Sequence, residues 1–195
     1  MRKGQGLLET TIAIAILATG VIAAITLSIS NTTSARQTTN RFIAANLARE
    51  GAEVVRNVRD TNWLAGVAYD TGLPSTPDIS FVPVFNQVTN IWALSYSPNC
   101  FTDPPVCPAG AEVYSSNGQY VQTGDATQVG TKTPFKRIIS VGWICRTGGG
   151  AETTQFTACS VGDTVIGRYV ISAVVWTDAS GQSTFAIPYK IYNWK

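Results

Sequence analysis

The 195-residue sequence contains no histidine. Its absence removes the commonest general base and the commonest transition-metal ligand together, which weighs against hydrolases and metalloenzymes. Charge is scarce as well: 13% of residues are charged, the net charge is +2, and the basic residues form no long run. Nucleic acid is therefore not expected as the main partner. The four cysteines, Cys100, Cys107, Cys145 and Cys159, include no C-x-x-C pair of the kind that binds zinc or performs thioredoxin chemistry. Neither a helical pattern nor a Lys-Ser/Thr signature follows Gly148-Gly149-Gly150, so a flexible loop is expected there and not a phosphate cradle. Asp125 and Asp163 lack the regular acidic spacing of a calcium loop. No catalytic residue, metal or cofactor is expected, and an enzyme has no motif here to rest on.

What the chain does have is apolar content, 45% of residues, enough for one sizeable core beside a membrane segment. From Leu7 to Ile29 there is no Lys, Arg or Asp, and the one acid is Glu9. About 20 apolar residues span a bilayer, so a membrane helix is predicted. Arg2 and Lys3 precede it and stay cytoplasmic by the positive-inside tendency, which places the chain beyond residue 30 outside. An exported chain meets oxidant, and disulfides are expected over four buried free thiols. Three pairings are formally possible; the short loops Cys100 to Cys107 and Cys145 to Cys159 close without any special topology and are favoured.

Glu9 stands out because a carboxylate at the entrance of an apolar segment costs up to about 3 kcal/mol unless it snorkels or finds a partner. The surrounding run Lys3-Gly4-Gln5-Gly6-Leu7-Leu8-Glu9-Thr10 resembles the processing site of the type IV pilin and pseudopilin family. The resemblance implies cleavage between Gly4 and Gln5, N-methylation of Gln5, and an assembly role for Glu9 as the fifth mature residue. It also implies partners: a membrane prepilin peptidase, an assembly ATPase acting through a membrane platform, and other pilin subunits. The chain departs from the family in Gln5, where an apolar residue is usual, and in the lack of a proline within the apolar run. Physically, cleavage leaves an ammonium at Gln5 that Glu9 of a neighbouring subunit can meet in an apolar core. The competing expectations are an ordinary signal anchor with Glu9 at the membrane interface, and a secretory signal peptide cut before Ser34-Ala35.

A signal peptide predicts a break after the apolar run, yet from Thr33 to Asp60 there is no Pro and only Gly51. Ile43, Leu47, Gly51, Val54 and Val58 recur at helical steps and form one predicted face. Arg49, Glu50, Glu53, Arg56 and Asp60 are assigned to the opposite, solvated or intersubunit side, with Arg49–Glu53 and Arg56–Asp60 spaced to pair. Uninterrupted from Gln5 to Asp60, the helix would be roughly 80 Å long. The segment 48–60 also resembles the corresponding helix of some minor-pilin-like members. Asn31-Thr32-Thr33 matches a glycosylation acceptor, but modification there would obstruct helix packing.

After Asp60, Pro74, Pro77, Pro83, Pro98, Pro104, Pro105 and Pro108 exclude a long helix, and 66–130 is read as loops with short strands, chiefly 79–87 and 90–96. Phe135 to Arg146, Thr164 to Thr177 and Gln182 to Tyr192 are rich in β-branched and aromatic residues, with a turn at Asp178-Ala179-Ser180-Gly181. An antiparallel meander is predicted whose middle strand, apolar on both faces, is central. The expected whole is α+β: a leader over 1–4, a helix over 5–60 whose residues 5–30 lie in the membrane, and a disulfide-stapled β-rich head over 61–195. The tryptophans Trp63, Trp92, Trp143, Trp176 and Trp194 are expected mainly in core or rim packing, with a ligand groove of sugar- or surface-binding role the alternative. Two functions compete: a filament subunit, first in the inner membrane and then extracellular, and a monomeric membrane-anchored binding or adhesion module.

Overall fold

The computed structural model describes residues 3–74, 79–86, 91–98, 110–122, 130–178 and 181–193. With no proline between Lys3 and Leu64, nothing interrupts the backbone ladder, and this stretch is one helix, α1 (Lys3–Leu64). It starts two residues before and ends four residues after the predicted limits. Its stop is chemical: Gly66 adopts φ 71°, its N–H donates to Trp63 O at 3.0 Å, and Val67 N–H donates to Asn62 O at 3.0 Å. This is a Schellman end, which needs a residue tolerant of the left-handed region.

The chain divides into two compact units, one ending at Phe42 and the other beginning at Ile43, so α1 contributes to both. The second unit, called the head below, contains one antiparallel sheet of eight strands: β1 (Ile79–Asn86), β2 (Ile91–Pro98), β3 (Glu112–Ser116), β4 (Gln119–Val121), β5 (Thr131–Arg146), β6 (Glu152–Gln155), β7 (Thr164–Asp178) and β8 (Gly181–Tyr192). The α+β expectation holds at this level. The 16-residue β5 is the spine. Its one edge pairs with β7 from Phe135↔Trp176 to Arg146↔Thr164, and β8 lies beyond β7. Its other edge is shared in succession by β3, β1 and β6. The predicted meander is thus present as β5-β7-β8 with β7 in the middle.

Two hairpins went unread in the sequence. Asn117 and Gly118, at φ 51° and 78°, make a two-residue turn from β3 to β4, the pair of positive φ values a type I′ turn demands. The glycine triplet, expected as a flexible loop, lies in a hydrogen-bonded turn from β5 to β6, with Thr147 N–H donating to Ala151 O at 2.9 Å and Gly150 N–H to Thr147 O at 2.8 Å.

One face of the sheet packs on α1 from Ile43 onward. Val55 meets Phe81, Ile139, Val141, Val170 and Ile191 in one cluster. Ala44, Leu47 and Ala48 meet Val113, Phe135, Val174 and Trp176 in another. The predicted stripe is only partly right: Leu47, Gly51 and Val54 are buried, Ile43 and Val58 half-buried, and Ala44, Ala48, Ala52 and Val55 are buried beside them. Small residues let the helix backbone approach the sheet. The approach is closest at Gly51, where an added Cβ would fall on Ser172 Oγ and lie 3.2 Å from Ile139 Cδ1. The Ser172 hydroxyl is fully buried and has no hydrogen-bond partner among the described residues.

Gly51→Ala is therefore expected to destabilise the head by about 1–3 kcal/mol through overpacking, despite alanine's better helix propensity. Ser172→Ala removes the obstructing oxygen and an unpaired polar group, and is expected to be neutral or stabilising. In that background Gly51→Ala should become neutral or gain up to about 1 kcal/mol. Urea unfolding of the full-length chain in detergent, followed by tryptophan fluorescence, measures this coupling. Additive effects of the two substitutions would contradict the contact.

Candidate functional site: the apolar helix segment and the buried ion pairs of the head

Residues 6–36 of α1 are all exposed. Leu7, Leu8, Ile12, Ile14, Ile16, Leu17, Val21 and Ile22 each show more than half of their surface. So large an apolar surface is unfavourable in water and stable only against lipid or protein. The segment is long and apolar enough to cross a membrane. Its polar side chains are adapted to that setting: the hydroxyls of Thr10, Thr11, Thr19 and Thr26 donate to the carbonyls of Leu7, Leu8, Ile16 and Ile22 at 2.9–3.0 Å. Hydroxyls satisfied within their own helix leave no donor unpaired in hydrocarbon. Gly4 and Gln5 lie in the first turns of α1. Glu9 is exposed, and among the described residues it forms no ion pair. It is the one charge on the apolar surface from Leu7 to Ile29.

Polar contacts fix the C-terminal part of α1 within the head. Arg137 on β5 is 1% exposed. Its Nη1 donates to Glu50 Oε2 at 2.8 Å and to Leu47 O at 3.4 Å, and its Nε donates to Gln122 Oε1 at 2.6 Å. Gln122 Nε2 in turn donates to Ala111 O at 2.7 Å and Arg137 O at 3.1 Å. Burial pulls the Arg137 pKa below its ordinary value, and the Glu50 carboxylate opposes this by favouring the charged form. Tyr189 OH donates to Ala52 O at 3.1 Å, and burial pushes this phenol well above its ordinary range.

A second buried cation closes the other end of the head. Arg168 on β7 donates from Nε and Nη2 to Asp70 Oδ2 at 2.9 and 2.8 Å and lies 3.5 Å from the centroid of Trp143. Asp70 follows α1 by six residues, so this pair ties the turn after the helix to the sheet. Burial, then Asp70, raises the pKa of neighbouring Tyr69, while Arg168 lowers it.

Cys145 and Cys159 are joined with Cα atoms 5.7 Å apart, as expected. Cys100 and Cys107 lie outside the described residues, as do Asp125 and Trp194. Trp143 and Trp176 are packing residues, the first beneath Arg168 and the second in the core, whereas Trp92 lines a cavity. Among the described residues no group of three or more His, Cys, Asp or Glu could hold a metal ion. The charges of α1 require two corrections. Glu50, placed on the solvated side, is half-buried against Arg137. Neither spaced pair, Arg49–Glu53 nor Arg56–Asp60, is made among the described residues: Arg56 pairs with Glu53 at 2.7 Å and Asp60 with Arg59 at 2.8 Å. Arg56 turns back one helical turn because its guanidinium also sits 5.7 Å from the Tyr189 ring.

Sequence reasoning missed Arg137 and Gln122 altogether. The signal for Arg137 was its place in the alternation Phe135, Arg137, Ile139, Val141, an arginine on the apolar face of a strand. No family model matches the chain, and neither a curated protein nor a solved structure matches it.

Proposed function

We propose that this chain is a structural subunit of a filament of the type IV pilus or pseudopilus kind, cleaved after Gly4, N-methylated at Gln5, and polymerised through the apolar part of α1. What carries the proposal is Glu9: a single carboxylate on an otherwise apolar exposed helix surface, five residues past a glycine that follows Arg2-Lys3. Lipid covers that surface before assembly, and the helices of neighbouring subunits cover it afterwards. Cleavage supplies the ammonium that Glu9 lacks. The partners on this proposal are a prepilin peptidase, an assembly platform with its ATPase, the inner membrane, and sibling subunits.

The mature chain is expected to begin at Gln5 with a methylated amino group, read by mass spectrometry of the N-terminal peptide from membranes and from sheared filaments. A mature terminus at Ser34 or beyond would remove the apolar helix and end the proposal. An uncut N-terminus in the membrane pool, with no filaments, would favour the monomeric anchored binding module.

A further inference from the structure

A cavity of about 510 Å³ opens in the head, within the size range of small-molecule sites. Its wall is aromatic: Phe85 on β1, Trp92 on β2 and Tyr120 on β4 line it. Phe85 and Tyr120 keep 39% and 38% of their surface exposed, so part of each ring is open to a ligand. Its floor is polar and belongs to the network already described, Glu50, Gln122 and Arg137.

The floor is built rigidly. Gln122 and Glu50 hold two of the three guanidinium nitrogens of Arg137 at 2.6 and 2.8 Å, and Gln122 is itself clamped by two backbone carbonyls. Among the described residues, Arg137 Nη2 donates no hydrogen bond and Glu50 Oε1 accepts none. A spare donor and a spare acceptor therefore stand on adjacent groups. A vicinal diol is their complement, because each hydroxyl both donates and accepts.

Charge and shape narrow the ligand further. Arg137 and Glu50 neutralise one another, and among the described residues no other ionisable side chain except the phenol of Tyr120 lines the cavity, so the described lining selects neither an anion nor a cation. The rings of Phe85 and Trp92 are 5.0 Å apart at 52°, so these two form a splayed wall and not a parallel slot for a flat heterocycle. A puckered ring with one C–H face and hydroxyls at its rim fits such a wall. We infer that this cavity binds a neutral saccharide, stacked on Trp92 and hydrogen-bonded through adjacent hydroxyls to Arg137 and Glu50. The site lies wholly in the head and is independent of cleavage, methylation and polymerisation.

The test is saturation-transfer NMR on the full-length protein in a phosphocholine detergent, which carries no sugar headgroup. Glucose, galactose, mannose and N-acetylglucosamine are the neutral probes, glucuronate the anionic comparator and adenosine the flat one. At least one neutral sugar should bind in the millimolar range, and Trp92→Ala should weaken it at least about tenfold with native near-UV circular dichroism retained. Glu50→Gln, which leaves the Arg137 charge unmatched, should shift preference toward glucuronate. If Trp92→Ala loses its native spectrum, Tyr120→Ala becomes the deciding variant with the same two outcomes. The inference is overturned if no neutral sugar shows saturation transfer, if the deciding variant binds as well as the parent, or if glucuronate or adenosine outcompetes the sugars on the parent protein. None of these results bears on filament assembly.

Discussion

Glu50→Ala is expected to cost the head about 3 kcal/mol, the lower end of the range for breaking a buried pair by removing one partner. The asymmetry of the pair is the reason. Arg137 has a side chain 2% exposed and Glu50 one 39% exposed, so deleting the carboxylate strands a charge that water barely reaches. Gln122 cannot compensate, because its carbonyl is already occupied by Arg137 Nε. Water at the Glu50 side screens part of the loss, which keeps the cost at the low end. The sharper expectation concerns the double variant. Adding Arg137→Met to Glu50→Ala removes the stranded charge and fills its volume with an apolar side chain, so the double variant should be more stable than Glu50→Ala alone. Urea unfolding of the full-length proteins in detergent gives the order. If the second substitution lowers stability further, the guanidinium is better solvated than its burial indicates.

The same pair shows what a sequence conceals. Glu50 sits among Arg49, Glu53 and Arg56, and helical periodicity alone assigns the whole group to water. Its partner is 87 residues away on β5, and no local pattern encodes a contact at that separation. The helix was legible because an apolar run of bilayer-spanning length leads into a stripe at helical steps, Ile43 to Val58, with no proline to interrupt the 62 residues. β5, β7 and β8 were legible because β-branched and aromatic residues recur in long runs. β3 and β4 were hidden by the proline-rich stretch before them, although Asn117-Gly118 is the dipeptide that a type I′ turn selects. The helix face was half read because Ala44, Ala48 and Ala52 carry little hydrophobic signal while setting how closely the helix lies on the sheet. At the candidate assembly site the legible part was Glu9 itself, an acid where apolar periodicity leaves no reason for one.

Glu9→Ala is expected to leave membrane insertion intact, and slightly improved, because it removes the one charge from the apolar segment between Leu7 and Ile29. On the proposed processing, cleavage after Gly4 should persist as well, since Arg2, Lys3 and Gly4 are untouched. Loss should appear only at polymerisation. On the filament proposal each subunit brings an ammonium at Gln5 into an apolar core and meets it with Glu9 of a neighbour. Without that carboxylate the ammonium is buried unpaired, a defect worth about 3–5 kcal/mol per broken pair. A filament repeats the defect at every subunit, so each addition is less favourable by a factor of hundreds or more, on the order of 1.4 kcal/mol per tenfold. Filaments should be absent or much shortened while the processed subunit accumulates in the membrane. Immunoblots of the membrane pool report abundance and cleavage, and electron microscopy of sheared material reports number and length. Normal filaments from Glu9→Ala cells would show that the carboxylate has no part in assembly, and the anchored binding module would then be the better account of the chain.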